Sequence, residues 1–282
     1  MGGSVAALRA VSGAIGGPCS GMRTRYQGHR WAPTLLLLAT SACGMATPRI
    51  DTAADALLAR SVAFHDPTAV WGHRGVALTW VGSGSEGQER VALDISLDPD
   101  GRTFSMTGRY AGSTIDYATT GTAYTVTVDG TAELSDETRQ RMRLDREDGL
   151  FWRSYFGFLA GLPMKLFDPG THVDPEPEET EFEGRPARAI RVTYDPEIGG
   201  ETWYFYLDPE TDQLVGCRFY YDESLNDGEY IVFTDLIEAG GLRLPRHRSW
   251  YTNAEGEFLG ADEITRLAVS GAASGETRSG SR

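Results

Sequence analysis

The chain has 282 residues, of which 40% are apolar and 23% charged, so it can fill a hydrophobic core and is not a disordered chain. Its 40 acidic and 26 basic residues give a formal charge of -14, and such a surface repels a polyanion. These numbers argue against nucleic-acid binding. Three cysteines without a CxxC motif or a zinc-like Cys/His spacing argue against a metal site or a disulfide framework, and no cofactor is expected.

Residues 1–42 contain no acidic residue and have the composition of a targeting segment. From Met22, a stretch with three arginines precedes the apolar run TLLLLATSA. That run is much shorter than the roughly 20 residues of a membrane-spanning helix. We therefore interpret residues 1–42 as a signal peptide. The signal is complete from Met22 onward, which makes Met22 an alternative start of the protein.

The signal ends in ATSAC at 39–43, small residues followed by a cysteine. This pattern resembles the lipobox of bacterial lipoproteins, although Thr40 stands where that motif usually has Leu. It predicts acylation of Cys43 (palmitate or a similar chain), a tether over 43–51 and an anchor in a membrane leaflet. Gly44 after the cysteine favours the outer membrane, with the domain facing the periplasm. The alternative is a soluble secreted protein that is cleaved nearby.

The next residues predict a leading helix and then an antiparallel sheet. Apolar residues recur at helical spacing over 52–66. Five segments with strand character follow, and the turns between them are rich in Gly and Asp; these segments are 75–81, 90–98, 102–110, 113–121 and 123–130. Their connections are too short for crossover helices, which excludes a parallel Rossmann-type sheet.

The middle of the chain predicts an inserted helical segment. Ser135 is a suitable N-cap for a charged helix, and the residues from 150 to 162 are apolar around nearly the whole helix circumference up to Pro163. Such a helix must be covered on both sides or lie against an apolar surface or ligand. The acidic segment 172–186 is interpreted as a solvated loop, six further strands follow up to residue 268, and 269–282 is predicted to be a disordered tail.

The predicted domain, 52–268, is therefore mainly β with some α. About eleven antiparallel strands should curl into an incomplete barrel, with the leading helix at one end and the inserted helix as a lid. Aromatic side chains on its concave face would form an apolar cavity. Seven residues are candidate ligand contacts: Trp152, Phe156, Leu159, Trp203, Phe205, Phe219 and Tyr221.

Three segments carry a family resemblance: FWRSYFGFLAGLPMKLFDPGT at 151–171, WYFYLDPETDQLVGCRFYYD at 203–222, and GGLRLPRHRSWYTNAEGEFLGADEI at 240–264. They are similar to a family of bacterial envelope lipoproteins of unknown function. That family in turn resembles the LolA/LolB-like lipoprotein carriers, which have an incomplete antiparallel barrel with a helical lid over an apolar pocket. The resemblance implies this fold and no catalytic residues.

Candidate chemistry is sparse. GSGSEG at 82–87 fits a GxGxxG pattern but connects two strands, so it is interpreted as a hairpin turn, and GxSxG, HExxH and Walker motifs are absent. The one cluster that could act as an acid-base or metal site is His65, Asp66 and His73, for which capping and turn roles are the better explanation. No catalytic residue and no metal ligand are predicted.

The sequence thus favours a lipid-anchored envelope protein that binds a lipid, an acyl chain or another apolar ligand. The first alternative is a structural or interaction lipoprotein whose barrel is filled by its own side chains. The second is a hydrolase that uses His65, Asp66 and His73.

Overall fold

The computed structural model describes residues 50–99 and 101–271. The predicted signal peptide, Cys43 and residues 272–282 lie outside the described residues, so the acylation and the two alternative starts remain predictions. Within the described part, the three α-helices are α1 (Ala53–His65), α2 (Asp136–Arg141) and α3 (Phe151–Gly161).

Thirteen strands form one antiparallel sheet that does not close into a barrel. The first five strands are β1 (Val76–Gly84), β2 (Glu89–Leu97), β3 (Thr103–Tyr110), β4 (Ser113–Thr120) and β5 (Ala123–Val128). The strands after the helical segment are β6 (Thr171–Val173), β7 (Glu178–Phe182), β8 (Arg185–Tyr194), β9 (Thr202–Leu207), β10 (Leu214–Tyr220), β11 (Glu229–Ala239), β12 (Leu242–Thr252) and β13 (Phe258–Val269). The predicted antiparallel α+β fold is confirmed.

The order of strands joins the two ends of the domain. It runs β5-β4-β3-β2-β1-β13-β12-β11-β10-β9-β8-β6, and β7 also pairs with β8. The first strand therefore pairs with the last, from Val76 opposite Val269 to Gly84 opposite Gly260. We call this pairing the β1–β13 seam. It connects the amino-terminal meander to the carboxy-terminal strands in the middle of the sheet.

Two strands lie where the sequence predicted a loop, which accounts for thirteen strands instead of about eleven. The acidic segment 172–186 contains β7 and most of β6, because charged residues are tolerated in an edge strand that has one face in water. Phe182 points to the other face and stacks on Tyr206 with ring centroids 4.1 Å apart. Glu183 and Gly184 both have positive φ, as a two-residue hairpin turn requires, and place β7 beside β8.

α1 covers Ala53–His65, within the predicted range 52–66. The Thr52 hydroxyl accepts a hydrogen bond from the Asp55 backbone N–H at 3.0 Å, and the Asp55 carboxylate accepts one from the Thr52 N–H at 3.1 Å. This reciprocal cap satisfies donors that a helix N-terminus otherwise leaves open. Leu57 and Leu58 are buried, and the helix packs on β12.

α3 crosses the concave face of the sheet and packs against both halves. Phe156 meets Trp80 of β1 edge to face at 5.3 Å, and Phe158 meets Trp203 of β9 at 5.3 Å. Most of its side chains are buried, so the prediction of a covered apolar helix is confirmed. The helix ends at Gly161, two residues before Pro163.

Candidate functional site: a cavity at the β1–β13 seam

A cavity of about 680 Å³ lies between the sheet and the helical segment. Its floor comes from β1, β2, β12 and β13, and its other side comes from the β3–β4 turn, the end of α2, α3 and the residues between these helices. The volume falls within the roughly 300–1,000 Å³ of small-molecule sites. The cavity therefore depends on the β1–β13 seam and on the helix that covers it.

The sheet is irregular where it borders this cavity. The pairing register shifts between Thr79 and Trp80, between Gly82 and Ser83, and between Trp250 and Tyr251. Each shift is a β-bulge or a similar irregularity, which bends a strand and re-aims its side chains. Gly260 adds a further bend with φ 144°. These irregularities curve the sheet around the cavity and turn the indoles of β1 and β12 into it.

Seven aromatic rings line the cavity, and we call five of them the aromatic wall: Trp80, Tyr110, Trp152, Phe156 and Trp250. Trp152 is held by a hydrogen bond of 2.9 Å from its Nε1 to the carbonyl of Met142, and its ring meets that of Tyr110 at 4.7 Å. Phe156 packs on Trp80 and stacks on Trp152. Because the rings hold one another in place, the wall is a fixed apolar surface.

Asp262 is the acidic group that faces the cavity from β13. Its Oδ2 accepts a hydrogen bond of 2.8 Å from Nε1 of Trp250. Burial raises the pKa of Asp262, and the hydrogen bond from Trp250 and the positive charge of Arg248 oppose that rise. A Cβ at Gly82 would lie 2.5 Å from Oδ1 of Asp262, so glycine leaves the space that this carboxyl group occupies.

Arg248 lies behind the aromatic wall. Its guanidinium is stacked over Trp80, 4.4 Å from the ring centroid, and its Nη1 donates to the carbonyl of Pro245 at 2.9 Å. Burial lowers the pKa of Arg248 to about 10. The side chain is charged at neutral pH and supplies positive charge beneath the floor of the cavity.

The rim of the cavity is basic. Four arginines line it, and we call them the basic rim: Arg90, Arg141, Arg143 and Arg146. Arg141 donates to the hydroxyl of Ser113 at 3.1 Å. The site therefore combines an apolar wall with a positively charged entrance.

The structure brings two of the seven predicted contacts to the cavity, Trp152 and Phe156. Leu159, Trp203, Phe205 and Phe219 are buried in the main hydrophobic core away from this cavity, and Tyr221 packs against that core. The aromatic residues of β9 and β10 stack mainly on one another: Trp203 lies 4.8 Å from Phe219 and 5.7 Å from Phe205.

Sequence reasoning missed Trp80, Trp250 and Asp262. Trp80 and Trp250 are buried and each stands in a segment predicted to be a strand, so no local signal separates them from ordinary core residues. The signal that could have found them is the pairing of β1 with β13, which brings residues some 180 positions apart to one place. Asp262, at an inward position between Gly260 and Ile264, is the one local hint of a polar floor.

Two of the three residues of the hydrolase alternative make hydrogen bonds that stabilise the fold. The His65 ring bonds to two backbone groups, with Nδ1 2.8 Å from the carbonyl of Arg243 and Nε2 3.0 Å from the N–H of Leu214. The Asp66 carboxylate accepts from the N–H groups of Val70 and Trp71 at 2.7 and 2.8 Å. His73 is exposed. The Asp66 bonds are the turn role that the sequence favoured, whereas His65 bonds to backbone groups of β10 and β12 rather than capping a helix.

We predict that His65 makes the stability of the fold depend on pH. Burial lowers its pKa from 6.5 to about 4, so the folded protein holds a neutral ring while the unfolded chain takes up a proton first on acidification. This contribution is fully present above pH 6.5 and is lost as the pH falls toward 4. Between pH 7 and 5 it amounts to about 2 kcal/mol.

The measurement is the free energy of unfolding in urea at pH 7 and pH 5 for the parent protein and for His65→Gln. The loss on acidification should be smaller in His65→Gln by about 2 kcal/mol. The exposed His73→Gln is the control and should keep the parent's pH dependence. Equal losses in His65→Gln and in the parent would contradict the assignment.

No helix in the described part of the chain is long and apolar enough to cross a bilayer. Within 50–99 and 101–271, no three His, Cys, Asp or Glu side chains are grouped so that they could hold a metal ion. Cys217 is buried at 0% exposure, and burial raises the pKa of its thiol.

Known structures with a similar arrangement share little sequence with this chain. A LolA superfamily protein from Nitrosomonas europaea is 9% identical at a TM-score of 0.45, with 77% of this chain and 93% of that chain covered. An outer membrane lipoprotein-sorting protein domain from Vibrio parahaemolyticus is 12% identical at a TM-score of 0.44, with 77% of this chain and 91% of that chain covered. A DUF1329 family protein from Desulfovibrio piger is 9% identical at a TM-score of 0.43, with 79% of this chain and 96% of that chain covered.

No curated protein matches the chain significantly. A family model does match, over residues 35–265, which is most of the sequence and includes α1, all of the cavity-lining residues and the β1–β13 seam up to residue 265. The chain therefore belongs to the family of unknown function DUF6503.

Proposed function

We propose that this protein binds a lipid, an acyl chain or another apolar ligand in the cavity at the β1–β13 seam. The observation that carries the proposal is the aromatic wall, which presents five rings to a space of about 680 Å³. Apolar surface transferred from water to such a wall contributes about 25 cal/mol per Å². Binding of this kind needs neither a cofactor nor a covalent step.

Trp152 and Phe156 are the proposed contacts on the helical side. The other five predicted contacts, Leu159, Trp203, Phe205, Phe219 and Tyr221, would meet only a ligand that reached past the cavity into the core. α3 is the proposed lid, since it supplies four of the cavity-lining residues and covers the seam.

We further propose that Cys43 is acylated and holds the domain at the outer membrane on its periplasmic side. The support is the signal peptide that runs into ATSAC and the glycine that follows. An anchored protein of this kind would act as a resident receptor rather than as a shuttle. The mass of the processed protein from a bacterial host tests this point, because acyl chains on Cys43 add mass and Cys43→Ser removes them.

Native mass spectrometry is the first test of ligand binding. The protein from residue 44 onward, secreted without a tag into a bacterial periplasm, should carry a lipid in stoichiometric amount, and solvent extraction should release it. A protein that emerges without ligand would favour the alternative in which the domain serves structural or interaction roles.

A substitution that fills the cavity tests its location. Val91 lies on β2 in register with the buried Leu93 and Ile95 and lines the cavity, so Val91→Trp would place an indole in the ligand space. We expect affinity for a fluorescent lipid probe to fall about tenfold or more, because the apolar contact area is lost. Fluorescence titration measures the change.

The matched control is Val81→Trp. Val81 stands on the neighbouring strand β1, one position after Trp80, and faces the other side of the sheet. The same change of side chain there should leave probe affinity as in the parent. Unfolding curves of both variants establish that each folds. Undiminished affinity in Val91→Trp would place the binding site elsewhere.

A further inference from the structure

The basic rim is unusual for this protein, which has 40 acidic and 26 basic residues. Elsewhere in the described residues, seven arginines form ion pairs with carboxylates, for example Arg60 with Asp212 at 2.9 Å and Arg188 with Glu179 at 2.8 Å. The four arginines of the basic rim form no ion pair with any carboxylate of the described residues. Glu89 at the same cavity pairs with Arg109, outside it, at 3.4 Å.

Two of these arginines share one aromatic neighbour, Phe151. The guanidinium groups of Arg143 and Arg146 lie 5.5 and 5.7 Å from the centroid of the same ring, that of Phe151. Burial lowers the pKa of Arg146, and the positive charge of Arg143 lowers it further. Asp145 and Glu147 offset part of this repulsion without forming an ion pair. Two like charges that repel each other thus both lie against one ring of the cavity lining.

Phe151 connects this pair to the aromatic wall. Its ring lies 4.9 Å from that of Trp152 and 5.7 Å from that of Tyr155, which also lines the cavity. Arg143 has a left-handed backbone conformation, with φ 57°, which ends the turn after α2 and directs the chain toward α3. A ligand could therefore contact both guanidinium groups and the apolar rings at once.

We infer that the cavity binds an amphiphile whose anionic head group, a phosphate or a carboxylate, lies between Arg143 and Arg146 while its apolar chain lies along the aromatic wall. The inference rests on the proposed function and makes it more specific. An anion at this position would relieve the repulsion between the two guanidinium groups and accept charge-assisted hydrogen bonds from both. Oxygen-rich anions fit the planar donor geometry of arginine.

The test compares ligands that share one chain and differ in head group. Dodecyl phosphate and the uncharged octaethylene glycol dodecyl ether are titrated below their micelle concentrations into the protein from residue 44 onward, and calorimetry measures each affinity. We expect dodecyl phosphate to bind at least about tenfold more tightly than the uncharged ether, because its head group makes at least one charge-assisted contact. The preference should shrink from about 50 to about 300 mM salt because the rim is open to solvent.

Substitutions at Arg143 and Arg146 test whether these two residues cause the preference for the anionic head group. Arg143→Gln with Arg146→Gln should bring the two affinities together, whereas the double lysine variant should retain part of the preference because it keeps both charges. Arg60→Gln, an ion-paired arginine outside the cavity, is the control and should bind both ligands as the parent does. Thermal unfolding of each variant shows that the fold is kept.

The remaining outcomes separate this inference from the proposed function. Equal affinities for the two ligands in the parent would overturn the anionic preference and leave apolar binding intact. Binding of neither ligand would overturn both. If inorganic phosphate binds as tightly as dodecyl phosphate, the dodecyl chain contributes nothing to binding. The site would then be a phosphate site, and the inference of an amphiphilic ligand would be wrong.

Discussion

Gly260→Ala is expected to lower the free energy of unfolding by about 3 kcal/mol, the sum of a strained backbone and a steric clash. Gly260 has φ 144°, a conformation that side chains other than glycine rarely adopt. A Cβ there would lie 2.3 Å from the backbone oxygen of Ser83 across the β1–β13 seam. Since this oxygen is part of the backbone, the clash cannot be relieved by rotating a side chain. Urea denaturation measures the loss.

Gly256→Ala separates the two causes. Gly256 also has a positive φ, 66°, but a Cβ there would have its nearest neighbour, the hydroxyl oxygen of Tyr230, 3.7 Å away. Only the conformational cost of about 1 kcal/mol should appear at this position. If both alanine variants lost equal stability, close approach of the strands at Gly260 would not be the cause. Gly260→Ala should also weaken binding of the lipid probe, because this residue lines the cavity.

Trp203→Ala is expected to cost about 4 kcal/mol, which is typical of a large aromatic side chain removed from a packed core. Trp203 is 0% exposed and packs against Phe158, Phe205 and Phe219. Its removal would leave a void between α3 and the strands β9 and β10. The midpoint and slope of the urea transition measure the change.

Trp203→Phe should cost much less than Trp203→Ala. The indole Nε1 of Trp203 has no hydrogen-bond partner among residues 50–99 and 101–271, so phenylalanine removes a buried donor along with part of the ring. Phe258→Ala, at a residue 37% exposed, is the control for loss of a ring at the surface and should cost little. Similar losses for Trp203→Ala and Phe258→Ala would show that Trp203 is not a main support of the core.

Strands and helices were predictable where one face is buried and the other is in water. β4 shows this most clearly, since its residues alternate strictly between buried and exposed from Ser113 to Thr120. β7 was missed because Glu178, Glu179 and Glu181 dominate its composition. Its position is decided by a turn and by one buried ring, Phe182, which are weaker signals than alternation over a full strand.

The candidate site was predictable only in part, and on the helical side. The all-round apolar character of α3 identified Trp152 and Phe156. The charged pattern after Ser135 continues through Arg143 and Arg146, whereas α2 ends at Arg141 and the chain then turns. At that turn the Met142 carbonyl accepts the hydrogen bond from Trp152, a contact that the local sequence pattern does not indicate.

The β1–β13 seam also determines when, during synthesis and folding, the cavity can form. Trp80 and Val91 are synthesised early, and Leu259 to Asp262 are among the last residues of the domain. All of them nevertheless line the same cavity. Closing a loop of that length is entropically costly and slow compared with forming the local hairpins. During synthesis, the amino-terminal meander can therefore form while the cavity still lacks the strands that complete its floor. The cavity is complete only when the final strand is in place, so a chain lacking β13 would have no closed cavity floor however well its meander folds.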